Sequence, residues 1–213
     1  MRAPDLQTEG LDLVLIGKFN PQIFQPFWFA KNELIPDSEA DSAKVNLVHP
    51  TISDFTLDWC HLNVAAERLT LSTKRPERYP LLFDLLVSTF SILSHTPITA
   101  VGINRRIVYR FSSEENWHAF GDRIAPKQPW ADALEKPGLL GMQMKGFRTD
   151  SLNGAINVYV QSGATPDVTL LVNDHFDISE EEQKNFRLAD LLDAQQKISM
   201  ERAEKIATLM VYE

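Results

Sequence analysis

The chain has 213 residues, 44% hydrophobic and 23% charged, enough to bury a core without disulfides or a structural metal. Its one cysteine, Cys60, excludes an internal disulfide. The longest apolar run near the N-terminus, Leu13–Ile16, is too short for a signal peptide or a membrane span, so a cytoplasmic location is expected. The formal charge of −8 opposes sequence-independent binding to a phosphate backbone and makes a nucleic-acid partner unlikely by charge alone.

Leu11–Phe19 alternates Leu11, Leu13 and Leu15 against Asp12, Val14 and Ile16, and reads as a strand. Asn20-Pro21 then offers a cap followed by proline, opening a short helix or turn through Phe29. That stretch carries Phe24, Phe27, Trp28 and Phe29, a dense aromatic group expected to cover the core or a sheet edge. Pro36–Ala43 reads as a polar loop and Lys44–His49 as a second strand. Phe55–Val64 and Arg68–Thr73 read as a hairpin joined through Ala65–Glu67.

Tyr79–Ser94 has apolar residues at intervals of three and four, which predicts a helix with a wide apolar stripe stopped by Pro97. The strand that follows, Ile98–Phe111, is the most informative segment. Val101, Ile103, Arg105, Ile107, Tyr109 and Phe111 share one face; Ala100, Gly102, Asn104, Arg106, Val108 and Arg110 share the other. One face is apolar apart from Arg105, which must find a carboxylate or carbonyls, reach an edge, or sit beyond a bulge. The other is small, then polar and cationic.

Ser112–Glu115 resembles a capping box opening a helix with Trp117, Phe120 and Ile124 on one side. Leu139–Arg148 and Ala155–Gln161 read as paired strands with Asn153-Gly154 in a tight turn, and Asp167–Phe176 as a further strand. Leu188–Val211 reads as a final helix with a seam from Leu188 through Leu192, Ile198 and Ala203 to Leu209 or Met210. The expected fold is α+β. Two β-α-β-β-β-α halves, about residues 1–96 and 97–213 of a single domain, form a large, mostly antiparallel sheet with helices on one face.

Arg78-Tyr79-Pro80 entering a helix, Gly102-Ile103-Asn104-Arg105 on a strand, and a late strand ending Val172-Asn173-Asp174-His175 resemble a sporadically distributed group of uncharacterised bacterial proteins. That group more often has an aromatic where Ile103 stands. The resemblance implies a duplicated, TATA-binding-protein-like α+β fold and transfers no catalytic residue.

No reaction motif is present. His49, His61, His95, His118 and His175 have no metal-motif spacing, and His118 and Asp122, four apart, could share a helix face as a common surface pair. Cys60 precedes His61, but neighbouring strand residues face opposite sides. The glycines of GMQMKGF lack the spacing of a phosphate loop, and no cofactor is indicated. The expectation is a non-enzymatic binding or adaptor protein that holds a partner protein on the open sheet face. Lys18, Asp58, Asn104, Arg106, Arg110, Asn157, Tyr159, Asn173 and His175 are its candidate surface residues. The alternatives are an enzyme or small-molecule sensor with a pocket near Asp174, His175 and Arg106, and a specific nucleic-acid binder.

Overall fold

A computed structural model describes residues 3–212, without the side chains of Val48, Met210 and Tyr212. Met210 as a seam residue therefore lies outside the described side chains. The elements run β1 (Asp5–Gly17), α1 (Pro26–Lys31), α2 (Asp37–Asp41), β2 (Lys44–His49), β3 (Ile52–Thr56), β4 (His61–Ala65), β5 (Arg68–Thr73) and α3 (Tyr79–Ile92). They continue with β6 (Ile98–Arg110), α4 (Glu114–Ile124), β7 (Gly141–Phe147), β8 (Gly154–Ser162), β9 (Asp167–Asp177), α5 (Glu180–Gln183) and α6 (Leu188–Tyr212). All nine strands form one antiparallel sheet in the order β2-β3-β4-β5-β1-β6-β9-β8-β7. The order runs outward on both sides of the long β1–β6 pair, first strand beside first strand.

Four local expectations are corrected. Phe55–Val64 is two strands, because the chain turns at 57–60, where the Leu57 N–H donates to the Cys60 carbonyl at 2.8 Å. Trp59 and Cys60 are both buried there, so the alternation that marks a strand is broken. The first half thus carries one strand more than a β-α-β-β-β-α unit. Pro36–Ala43 contains the short helix α2 rather than only loop. The helix expected after Asn20-Pro21 begins later, at Pro26, after two turns closed onto Asn20 and Pro21. Asn153-Gly154 is not a two-residue turn: residues 148–153 separate β7 from β8. Gly154 has φ +131°, and a Cβ there would stand 2.0 Å from the His175 carbonyl oxygen, so only glycine fits.

One face of the sheet is covered. Leu11, Leu13, Leu15, Leu69, Leu71, Val101 and Ile103 pack under α3 and the start of α6, together with Phe24 and Phe29. Each fully buried leucine contributes roughly 2 kcal/mol by leaving water. Ile107, Tyr109, Val160, Val168, Leu170 and Val172 form a second cluster with Phe120 of α4 and with Ala203, Ala207 and Val211 of α6. β6 pairs with β9 without a bulge from Ala100 to Arg110, so Arg105 remains on this covered face. It lies where the two apolar clusters meet, and Glu9 of β1 supplies its carboxylate. The helices leave the other face bare. No helix among the described residues is long and apolar enough to cross a membrane.

Candidate functional site

Strand register builds the bare face. Directly opposed residues point the same way, so one row can be followed across every strand. It runs Lys44, Thr56, His61, Ser72, Asp12, Asn104, Asn173, Asn157 and Lys145. No position in that row is apolar, and a lysine stands at each edge.

The centre of the row is a chain of amides. Asn157 Nδ2 donates to Asn173 Oδ1 at 2.8 Å, Asn173 Nδ2 to Asn104 Oδ1 at 2.7 Å, and Asn104 Nδ2 to the Asp12 carbonyl at 3.1 Å. Gly102, next along β6 on the same face, makes room for them. A Cβ there would stand 3.2 Å from Asn173 Nδ2 and 3.3 Å from Asn104 Nδ2. The missing side chain helps leave a hollow of about 370 Å³, lined by Val14, Arg68, Asn104, Tyr159, Asn173 and His175 among others. A second hollow, about 530 Å³, lies on the far side of Tyr159 and Leu171 and is walled by Arg106, Gln143 and Thr169.

Two carboxylates on this face have opposite character. Burial pushes the Asp12 carboxyl above its ordinary value, and the charges of Arg106, Arg68, Lys74 and His61 offset this only in part. Its side chain accepts no hydrogen bond from any described residue. Asp54 is also raised by burial, but Asn46, Asn63 and His61 bond to it and together bring it below the usual range. Those contacts are 2.6 Å from Asn46, 2.6 Å from Asn63 and 3.0 Å from His61 Nε2.

The structure brings Asn104, Arg106, Arg110, Asn157, Tyr159, Asn173 and His175 onto this one face. Arg110 is engaged there: Asp167 holds it through two hydrogen bonds of 2.7 and 2.8 Å. His175 Nε2 lies 3.0 Å from Asp177. Lys18 and Asp58 do not join them. Lys18 lies beyond the end of β1, and Asp58 sits in the turn between β3 and β4, paired with Arg75 at 2.7 Å.

Asp174, His175 and Arg106 are not brought together either. Asp174 points to the covered face, where Arg148, Arg202 and Ser199 bond to its carboxylate, the last at 2.7 Å. Arg148 also stacks on Phe176, 4.0 Å from the ring centre, and donates to Asp150. Sequence reasoning had no signal for this cluster, because its members come from β9, the 148–153 segment and α6. Sequence reasoning also missed Asp12 as a site residue, although its place in the alternation put it on the open face.

The remaining candidates are accounted for by packing. Cys60 is buried, and burial, with Glu39 adding to it, pushes its thiol up to about 12, so it carries no thiolate at neutral pH. His118 approaches Glu114 at 3.7 Å, while Asp122 pairs with Lys127 at 2.7 Å, so the His118–Asp122 pair does not form. Phe24 and Phe29 are buried and Trp28 packs against them, whereas Phe27 is exposed. Among the described residues no three His, Cys, Asp or Glu side chains are grouped to hold a metal ion. No protein-family model matches the chain, and its sequence matches no curated protein.

Proposed function

We propose that this chain is a non-enzymatic binding or adaptor protein that holds a partner protein on the open face of its sheet. One observation carries the reading. A polar row crosses all the strands on the uncovered face, and at its centre the Asp12 carboxylate and the neighbouring Arg106 guanidinium have no hydrogen-bond partner among the described residues. Asp12 is half-buried without a hydrogen bond and so gains from a partner that satisfies it, while Arg106 stands exposed beside it, free to pair with one. The mixed charge of the row, an acid flanked by Arg106 and Arg68, suits a protein surface better than a polyanion. The strand order about the β1–β6 pair supports the resemblance to the TATA-binding-protein-like bacterial group, which brings no catalytic residue with it.

The test is capture from native cell extract on immobilised chain, with protein, nucleic acid and metabolites all analysed in the eluate. The expected result is a protein retained by the native chain and lost with Arg106→Glu, while the thermal melt is unchanged. Nucleic acid as the main retained species, or retention indifferent to Arg106, overturns the reading.

A further inference from the structure

The sheet ends on two unlike edges. The pairing of β2 with β3 shifts register between Val45 and Leu47. β7 pairs with β8 without a break from Gly141 to Phe147, and every residue except Met142 is exposed. Its outer backbone groups face no further strand. Lys145 is its only charged residue, in a chain whose net charge is −8. Phe147 is 87% exposed, Leu140 just before the strand 84%, and Met144 59%. A regular apolar edge with a single charge is a template for another strand.

The residue order within β7 says which strand fits it. Reversed about Met144, the segment GMQMKGF opposes Gly141 with Phe147, Met142 with Gly146 and Gln143 with Lys145. Each glycine then meets a bulky side chain, and no like charges meet. Aromatic-over-glycine pairs are favourable across antiparallel strands. The faces also agree. Gly141, Gln143, Lys145 and Phe147 lie on the open side and Met142, Met144 and Gly146 on the covered side. A two-fold axis normal to the sheet preserves those sides.

We infer that β7 is a homodimerisation edge: two copies of this chain pair their β7 strands antiparallel about Met144, joining two nine-stranded sheets into one. The open faces become continuous across the axis. Phe147 of the second copy falls over Gly141, at the rim of the hollow walled by Arg106, Gln143 and Tyr159, so each copy completes a wall of the other's hollow. A single strand pair buries less than the roughly 800 Å² per partner of a standard interface, so the association is weak and concentration-dependent.

Sedimentation of the full chain at low salt, from about 1 to about 100 μM, tests this, because weak interfaces of this kind associate in the micromolar range. The expected result is a monomer–dimer equilibrium. Gln143→Glu, which faces Lys145 of the other copy twice over, tightens it about tenfold, and Gln143→Lys weakens it by a similar factor. Adding Lys145→Glu to Gln143→Lys restores it. Gln143 and Lys145 are exposed, so the melting temperature of the dilute monomer stays constant and serves as the folding control. A monomer at every concentration overturns the inference, as does a dimer that both Gln143 variants move in the same direction or leave unmoved. An open ladder of masses also overturns it, because that result assigns the contact to β7 against β2.

Discussion

Asp174 on the covered face and Asp12 on the open face are treated in opposite ways. On the covered face the central charges are paired: Asp174 receives two guanidinium groups and a hydroxyl, and Arg105 takes Glu9, although the Arg105 Nε is left without a partner among the described residues. On the open face Asp12 and Arg106 lie close enough to influence one another, yet neither is hydrogen-bonded within the described residues. The difference follows from water. Under the helices an unpaired charge costs several kcal/mol, so folding requires its partners; on the open face water carries that cost until a ligand takes over. The covered Asp174 cluster therefore reports on stability, and the open Asp12 and Arg106 on binding.

Asp174 carries the largest expected loss of stability. Asp174→Ala leaves Arg148 and Arg202 without their shared carboxylate, and the expected loss is about 3–5 kcal/mol, read as a lower urea midpoint. A loss below about 1 kcal/mol would mean that the buried cluster holds nothing together. Leu86→Asp, which places a charge in the layer between α3 and the sheet, is expected to cost a similar amount in the same measurement.

Gly102→Val probes the open face from the steric side. Its Cβ presses on the Asn104 and Asn173 amides, so a loss of about 1 kcal/mol is expected together with loss of partner capture. Intact capture would remove the amide row from the binding surface.

Asp12 and Asp54 make the fold respond to pH with opposite signs. The Asp12 carboxyl is raised, so its contribution is most favourable below the ordinary carboxylate value of 3.8 and is lost as pH rises through its folded value. Asp12→Asn should therefore raise the melting temperature at neutral pH, with the gain shrinking toward pH 3, while capture falls. Asp54 is lowered, so its contribution is present above 3.8 and disappears as pH falls below that value. Asp54→Asn should lower the melting temperature at neutral pH. Melts of both variants across pH check the two signs. The smallest stability effect is expected from Arg106→Glu, within about 0.5 kcal/mol by urea titration, although its effect on capture is the largest on this face.

Much of this architecture could be read along the chain, because alternation and helical spacing are local. Val101, Ile103, Ile107 and Tyr109 against Asn104, Arg106 and Arg110 separate two surfaces wherever that strand is placed. The turn at Leu57–Cys60 was hidden because Trp59 and Cys60 are apolar and buried without alternating. Which side chains meet was decided only in three dimensions. Asn104, Asn173 and Asn157 stand far apart in sequence and become neighbours through the register of β6, β9 and β8. Asp174 looked like part of a site beside His175, but strand alternation sends the two to opposite faces, and α6 with the 148–153 segment closes over one of them. A sequence specifies the face each residue takes within its own strand; only long-range pairing specifies what that face meets, because the contacts lie between segments that no local pattern connects.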